Sequence, residues 1–185
     1  MVTARPAPVN ARTSPLYWPA WRETGLNFEP TTTRLWKRLS REERLTAAHA
    51  FFKETSPELL AGAMGAIVKA RHLRPQVARA LGEDERARAL AAIHEPGETV
   101  AASLLVSLHL SARRPMLAAF LDALQLPHED GVMKEEADAA PPVSAEAARG
   151  ALGTLLEEFP QPEVETYLNT LWLQDPERWT ALAQL

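Results

Sequence analysis

The chain has 185 residues, 46% hydrophobic and 24% charged, a globular balance that excludes wholesale disorder and suffices for one domain with a substantial core. It contains no cysteine, which rules out a disulfide framework and any thiolate metal or catalytic site. Net charge is −4 but unevenly spread: residues 1–100 carry 15 basic and 11 acidic side chains (+4), residues 101–185 carry 5 and 13 (−8).

That asymmetry suits an acidic or polyanionic partner for the first half, or complementarity between the two halves. The longest apolar run, Val100 to Leu110, is broken by Ser103, Ser107 and His109 and is too short to span a bilayer. No apolar stretch follows the first basic residues as in a signal peptide, so cytoplasmic residence without membrane insertion is the expectation. Sixteen arginines against four lysines, with abundant alanine, fit a GC-rich bacterial genome, an association without physical content.

In chain order, residues 1–33 predict an extended segment, because Pro6, Pro8, Pro15, Pro19 and Pro30 each remove an amide donor and break helices. Tyr17, Trp18, Trp21 and Phe28 nevertheless place four of the chain's twelve aromatics there, so these rings need a cover. The segment is either a strap over the chain's own helices or a motif that inserts into a partner.

A helical core is expected over 34–126. Thr33 can cap a short helix bearing Leu35, Trp36 and Leu39. Ser40 to Glu43 reads as a capping box, followed by Leu45, Ala48, His49 and Phe52 at i, i+3, i+4, i+7. Ser56-Pro57 starts the next helix, to about Arg71, with Leu60, Met64, Ile67 and Val68 expected in the core. Pro75 opens a short helix that Gly82 ends in a left-handed conformation. Residues 84–94 and 98–112 are helical, the latter apolar nearly all round and therefore central. Pro115 opens a helix with Leu117, Phe120, Leu121 and Leu124 on one face. Residues 127–143 read as an acidic linker. Residues 144–185 read as three helices, started by Ser144, Pro162 and Pro176, too small to stand alone and so docked on the core. No segment alternates with period two, and no strand is expected.

A shift of 40 residues aligns Glu58, Ala61, Arg74, Pro75, Ala78 and Leu81 with Glu98, Ala101, Arg114, Pro115, Ala118 and Leu121. The fold expected is therefore all-α, either a short α-solenoid-like helical repeat or an irregular multi-helix bundle. The unit resembles HEAT or armadillo repeats in length alone, without their signature residues. Gly62, Ala66 and Ala70 would let a neighbouring helix approach closely.

No chemistry-bearing motif stands out. The five histidines include neither His-x3-His nor Glu-x-x-His, and His49 and His109 on apolar faces read as core or boundary residues. The run His128 to Asp138 could offer ligands to a hard cation but lacks EF-hand spacing and reads as solvated linker. No cofactor, metal or catalytic residue is assigned. The basic features point elsewhere. Stacked repeats would bring Arg74 and Arg114 together, with Arg71 and Arg113 beside them, as an edge that binds carboxylates or phosphates. Cations completing helix dipoles are the plainer account.

The function expected is a non-enzymatic protein–protein interaction scaffold or adaptor, contacting its partner through Arg71, Arg74, Arg113, Arg114, Tyr17, Trp18 and Trp21. Its partner is another protein with an acidic surface, or a second copy of the chain. Two alternatives stand beside it: nucleic-acid binding through residues 34–81, which are net +6 within a chain of pI near 5.8, and an enzyme whose site is assembled from sequence-distant residues.

Overall fold

Four of the helices begin where a side-chain oxygen accepts an orphan amide of the first turn. The computed structural model describes Leu26, residues 28–135 and residues 143–185; Tyr17, Trp18 and Trp21 lie outside the described residues. Thr31, not Thr33, caps α1 (Thr32–Arg38): it is the extended residue, at φ −144° and ψ 154°, and accepts from the Arg34 amide at 3.2 Å. Ser40 and Glu43 close the capping box of α2 (Arg41–Glu54). Ser56 and Pro57 start α3 (Pro57–Arg71), and Pro75 starts α4 (Pro75–Ala80). There follow α5 (Glu83–Ala91), α6 (Glu98–Ala112), α7 (Arg114–Ala123), α8 (Ala145–Glu158) behind its cap Ser144, and α9 (Gln161–Gln174).

The protein is thus mostly helical, with α6 at its centre. Helix α6 packs on α1, α2 and α3 on one side and meets α9 and α7 on the other. The first core joins Leu35 and Trp36 of α1, Phe51 of α2, Ile67 of α3 and Leu90 of α5 to Leu104, Leu105 and Leu108 of α6. Trp36 is fully buried, and its indole N–H donates to the Ile93 carbonyl at 2.8 Å, so the ring's one polar atom is satisfied. Small side chains bring α3 onto α6: a Cβ on Gly62 would stand 3.3 Å from Val100 Cγ2.

A second core gathers Leu117, Phe120 and Leu121 of α7, Leu152 and Leu155 of α8, Val164 and Leu168 of α9, and Trp179. Leu26 is buried in it, and Phe28 meets Trp172 edge-on at 4.6 Å. The Glu29 amide donates to Asn169 Oδ1 at 2.8 Å. The described end of the N-terminal segment therefore packs on the chain's own α9.

Several expectations are corrected. The stretch read as a linker contains an antiparallel hairpin of two-residue strands, β1 (His128–Glu129) and β2 (Val132–Met133), turned by Asp130 (φ 49°) and Gly131 (φ 77°). Strands this short show no periodicity in sequence. Gly82 is not left-handed: at φ −65° and ψ 163° it is the N-cap of α5, its amide held by Glu85 at 3.2 Å. The left-handed stop falls on His72 (φ 53°), after α3. The last helix is a turn of 3-10 helix, Thr180–Gln184, preceded by a bend in which Asp175 accepts from the Arg178 amide.

Residues 57–81 and 97–121 keep the order of a 15-residue helix followed by a proline-started one. Their turns differ. Three residues, 72–74, separate α3 from α4, whereas Arg113 alone (φ −129°, ψ 21°) separates α6 from α7, which leaves at 90°. Among the described residues no single helix is long and apolar enough to cross a membrane.

Candidate partner-binding surface

The four arginines expected along one edge have different fates. Arg113 is 5% exposed and cannot face a partner. At the α6–α7 bend its guanidinium reaches Glu43 of α2 through Nη2 and Glu163 of α9 through Nε, the latter at 3.4 Å. Burial lowers its pKa, and the two carboxylates oppose that shift. It ties three helices together, and its Nη1 is buried without a partner among the described residues.

Arg114 is held by its own chain. Its Nε donates to the Leu110 carbonyl at 2.7 Å, and its Nη1 lies 3.1 Å from both the carbonyl and the carboxylate of Asp130 at the hairpin turn. Asp130 belongs to the acidic stretch whose charge complements this arginine.

Arg71 and Arg74 fare differently. Arg71 is the last residue of α3 and Arg74 the N-cap of α4, on either side of the left-handed His72. Both are exposed, and neither has an ion pair among the described residues. They remain candidates for an acidic partner.

Beside them lies a feature the sequence pattern hid. Leu60, Met64 and Val68 share the apolar stripe of α3 with Ile67, yet only Ile67 is fully buried. The other three are half-buried and, with Pro75 and Ala78 of α4, line an open groove of about 520 Å³. Helix α4 is six residues long and covers only part of the stripe. Arg79 and Arg86 stand in the groove walls, and Val77 is 48% exposed on the same short helix. Arg86 also donates to the Arg79 carbonyl at 2.6 Å, satisfying an orphan oxygen of the last turn of α4. Gly65 lies in the groove, and a Cβ there would meet nothing within 4 Å among the described residues.

Elsewhere the cations are more committed. Lys37 pairs with Glu95, and Arg38 with Glu29 at 3.4 Å and Glu165 at 3.1 Å, all acids outside the basic stretch 34–81. Another groove, about 730 Å³ between α2 and α6, carries Ser103, Ser107 and Ser111 opposite His49 and Lys53. Ser103 and Ser111 donate back to carbonyls of their own helix, at 3.1 and 3.3 Å, which commits the one proton of each hydroxyl. His49 is half-buried, with Nδ1 3.8 Å from Asp84, too far for a hydrogen bond. Among the described residues no three metal-ligating side chains stand together.

No family model, curated protein or solved structure matches the chain, so any functional reading rests on these residues.

Proposed function

We propose that this chain is a non-enzymatic protein-binding module, a helical scaffold or adaptor, that receives an acidic amphipathic helix of a partner in the groove between α3 and α4. One observation carries the reading: Leu60, Met64 and Val68, at i, i+4, i+8, line an open apolar groove with Arg79 and Arg86 in its walls. A helix lays its apolar face into such a groove, while acidic residues flanking that face meet the arginines. Arg71 and Arg74, exposed at the far end of α3, extend the basic border. The forty-residue recurrence supports a repeat-derived scaffold, since each copy keeps a long helix followed by a proline-started one.

Gly65 supplies the test. Leucine there meets no atom of the described residues at its Cβ and extends into the groove. Panning a helical-peptide library against the full chain should enrich acidic amphipathic sequences, and Gly65→Leu should bind them at least tenfold more weakly. Recovery of the same peptides with equal affinity by the variant would place the site elsewhere. Tight binding of an oligonucleotide that these peptides do not displace would favour the nucleic-acid reading.

A further inference from the structure

The two cores meet along a seam of unusual chemistry. Helix α9 contributes Val164, Tyr167 and Leu168 to the second core, and it also lies against α1 and α6, which belong to the first. Eight polar or charged residues are buried among the described residues. Six of them stand on α9 or at the end of α6 that meets it: His109, Arg113, Glu165, Thr166, Asn169 and Thr170.

The contacts that cross the seam are correspondingly polar. Arg38 of α1 reaches the buried carboxylate of Glu165 at 3.1 Å. His109 Nε2 lies 3.1 Å from Thr170 Oγ1. Arg113 holds Glu43 on one side and Glu163, at 3.4 Å, on the other. Leu173 of α9 reaches the first core and Leu110 of α6 the second, but both are only half-buried.

Polar and apolar contacts differ in what their separation costs. Parting two apolar faces exposes both to water with nothing in return. Parting a buried ion pair restores the hydration that its burial removed, so the net cost of opening is small for each pair. Two cores joined through such a face are free to move relative to each other, as domains joined by polar interfaces are.

The chain is routed to allow it. Among the described residues it crosses the seam twice, at Pro30 and at Arg113. Leu26 and Phe28 pack on the α9 side, whereas α1 begins at Thr32 on the other. Arg113 is the single non-helical residue between α6 and α7, at φ −129° and ψ 21°.

We propose that the chain opens along this seam: α7, α8 and α9, with residues 26–29 on them, swing as one unit away from α1–α6 about Pro30 and Arg113, each core staying intact. The α3–α4 groove lies wholly within the first unit, so the opening does not depend on what the groove binds.

Because the chain has no cysteine, two can be introduced for spin labels without a background. Arg88→Cys on α5 and Thr154→Cys on α8 are exposed positions, one in each unit. Double electron–electron resonance on this labelled full chain is compared with the same chain carrying Arg38→Gln, which removes the pair to Glu165. Arg38→Gln should raise the population of a second, distinct distance at least fivefold, with helix content by circular dichroism unchanged. Should Arg38→Gln lose helix, Glu163→Gln, at a 39% exposed carboxylate of the same seam, takes its place with the same expectation. The proposal is overturned if a folded seam variant shows the single distance of the labelled wild type. It is equally overturned if the second distance appears only together with loss of helix, which is unfolding and not opening.

Discussion

Glu43 and Arg113, seventy positions apart, share one carboxylate between two tasks: Oε2 accepts the Ser40 amide at 2.8 Å, and Oε1 takes the Arg113 guanidinium. The helix cap is local and the ion pair is tertiary, so a single side chain fixes the start of α2 and anchors the α6–α7 bend. Arg113 is thereby a structural cation, and the basic edge narrows to Arg71 and Arg74.

Glu43→Gln should cost about 2–4 kcal/mol in urea unfolding, because it leaves a buried guanidinium with only the longer contact to Glu163. The double variant Glu43→Gln, Arg113→Met should recover part of that loss, since removing both charges removes the uncompensated one. A double variant less stable than the sum of the singles would contradict this account.

His109 makes stability depend on pH. Its folded pKa of about 3 lies below the ordinary 6.5, so between those values the unfolded chain binds one proton more than the folded chain. The stability from keeping this ring neutral is complete above pH 6.5. It declines by about 1.4 kcal/mol per pH unit as the pH falls below that. Unfolding free energies between pH 6.5 and 5 should show this slope in the wild type and a shallower one in His109→Phe. Equal slopes would mean that His109 charges in the fold.

Two glycines of α3, three residues apart, should respond differently to alanine. Gly65→Ala adds a methyl where nothing lies within 4 Å and should stabilise by roughly 0.5–1 kcal/mol through helix propensity. Gly62→Ala places its methyl 3.3 Å from Val100 Cγ2 and should gain less, or lose. Thermal unfolding of the pair checks the α3–α6 approach, and equal gains would mean that the helices are not packed this closely.

Charge reversal separates the two remaining classes of arginine. Arg71→Glu with Arg74→Glu should change stability by less than about 0.5 kcal/mol, as exposed charges contribute little. The same double variant should bind acidic peptides more weakly, and wild-type binding should fall as salt is raised. Arg114→Glu should instead cost about 1–2 kcal/mol, because it removes donors to Leu110 and Asp130 and sets two carboxylates side by side. If Arg114→Glu proves neutral, the hairpin is not held by this contact.

By itself the sequence determined the helices and most of their starts. Ser40 with Glu43, Ser56 with Pro57, and Ser144 are caps whose partners lie three residues away, so their geometry is local. The apolar character of α6 likewise implied a central place, because such a helix must be surrounded. Tertiary structure decided the rest. The stripe Leu60, Met64, Ile67, Val68 reads as core throughout, yet how much of it is covered depends on the length and angle of α4. Arg113 and Arg114 are neighbours in sequence, but the bend between α6 and α7 sends one into the core and the other to the hairpin. The partner of the buried His109 ring is Thr170, 61 residues away on α9 and already donating to a carbonyl of its own helix. Hydrogen-bond periods within a helix are written every three or four residues, whereas the company a side chain keeps is set by which helices cross, and that is a property of the whole packing.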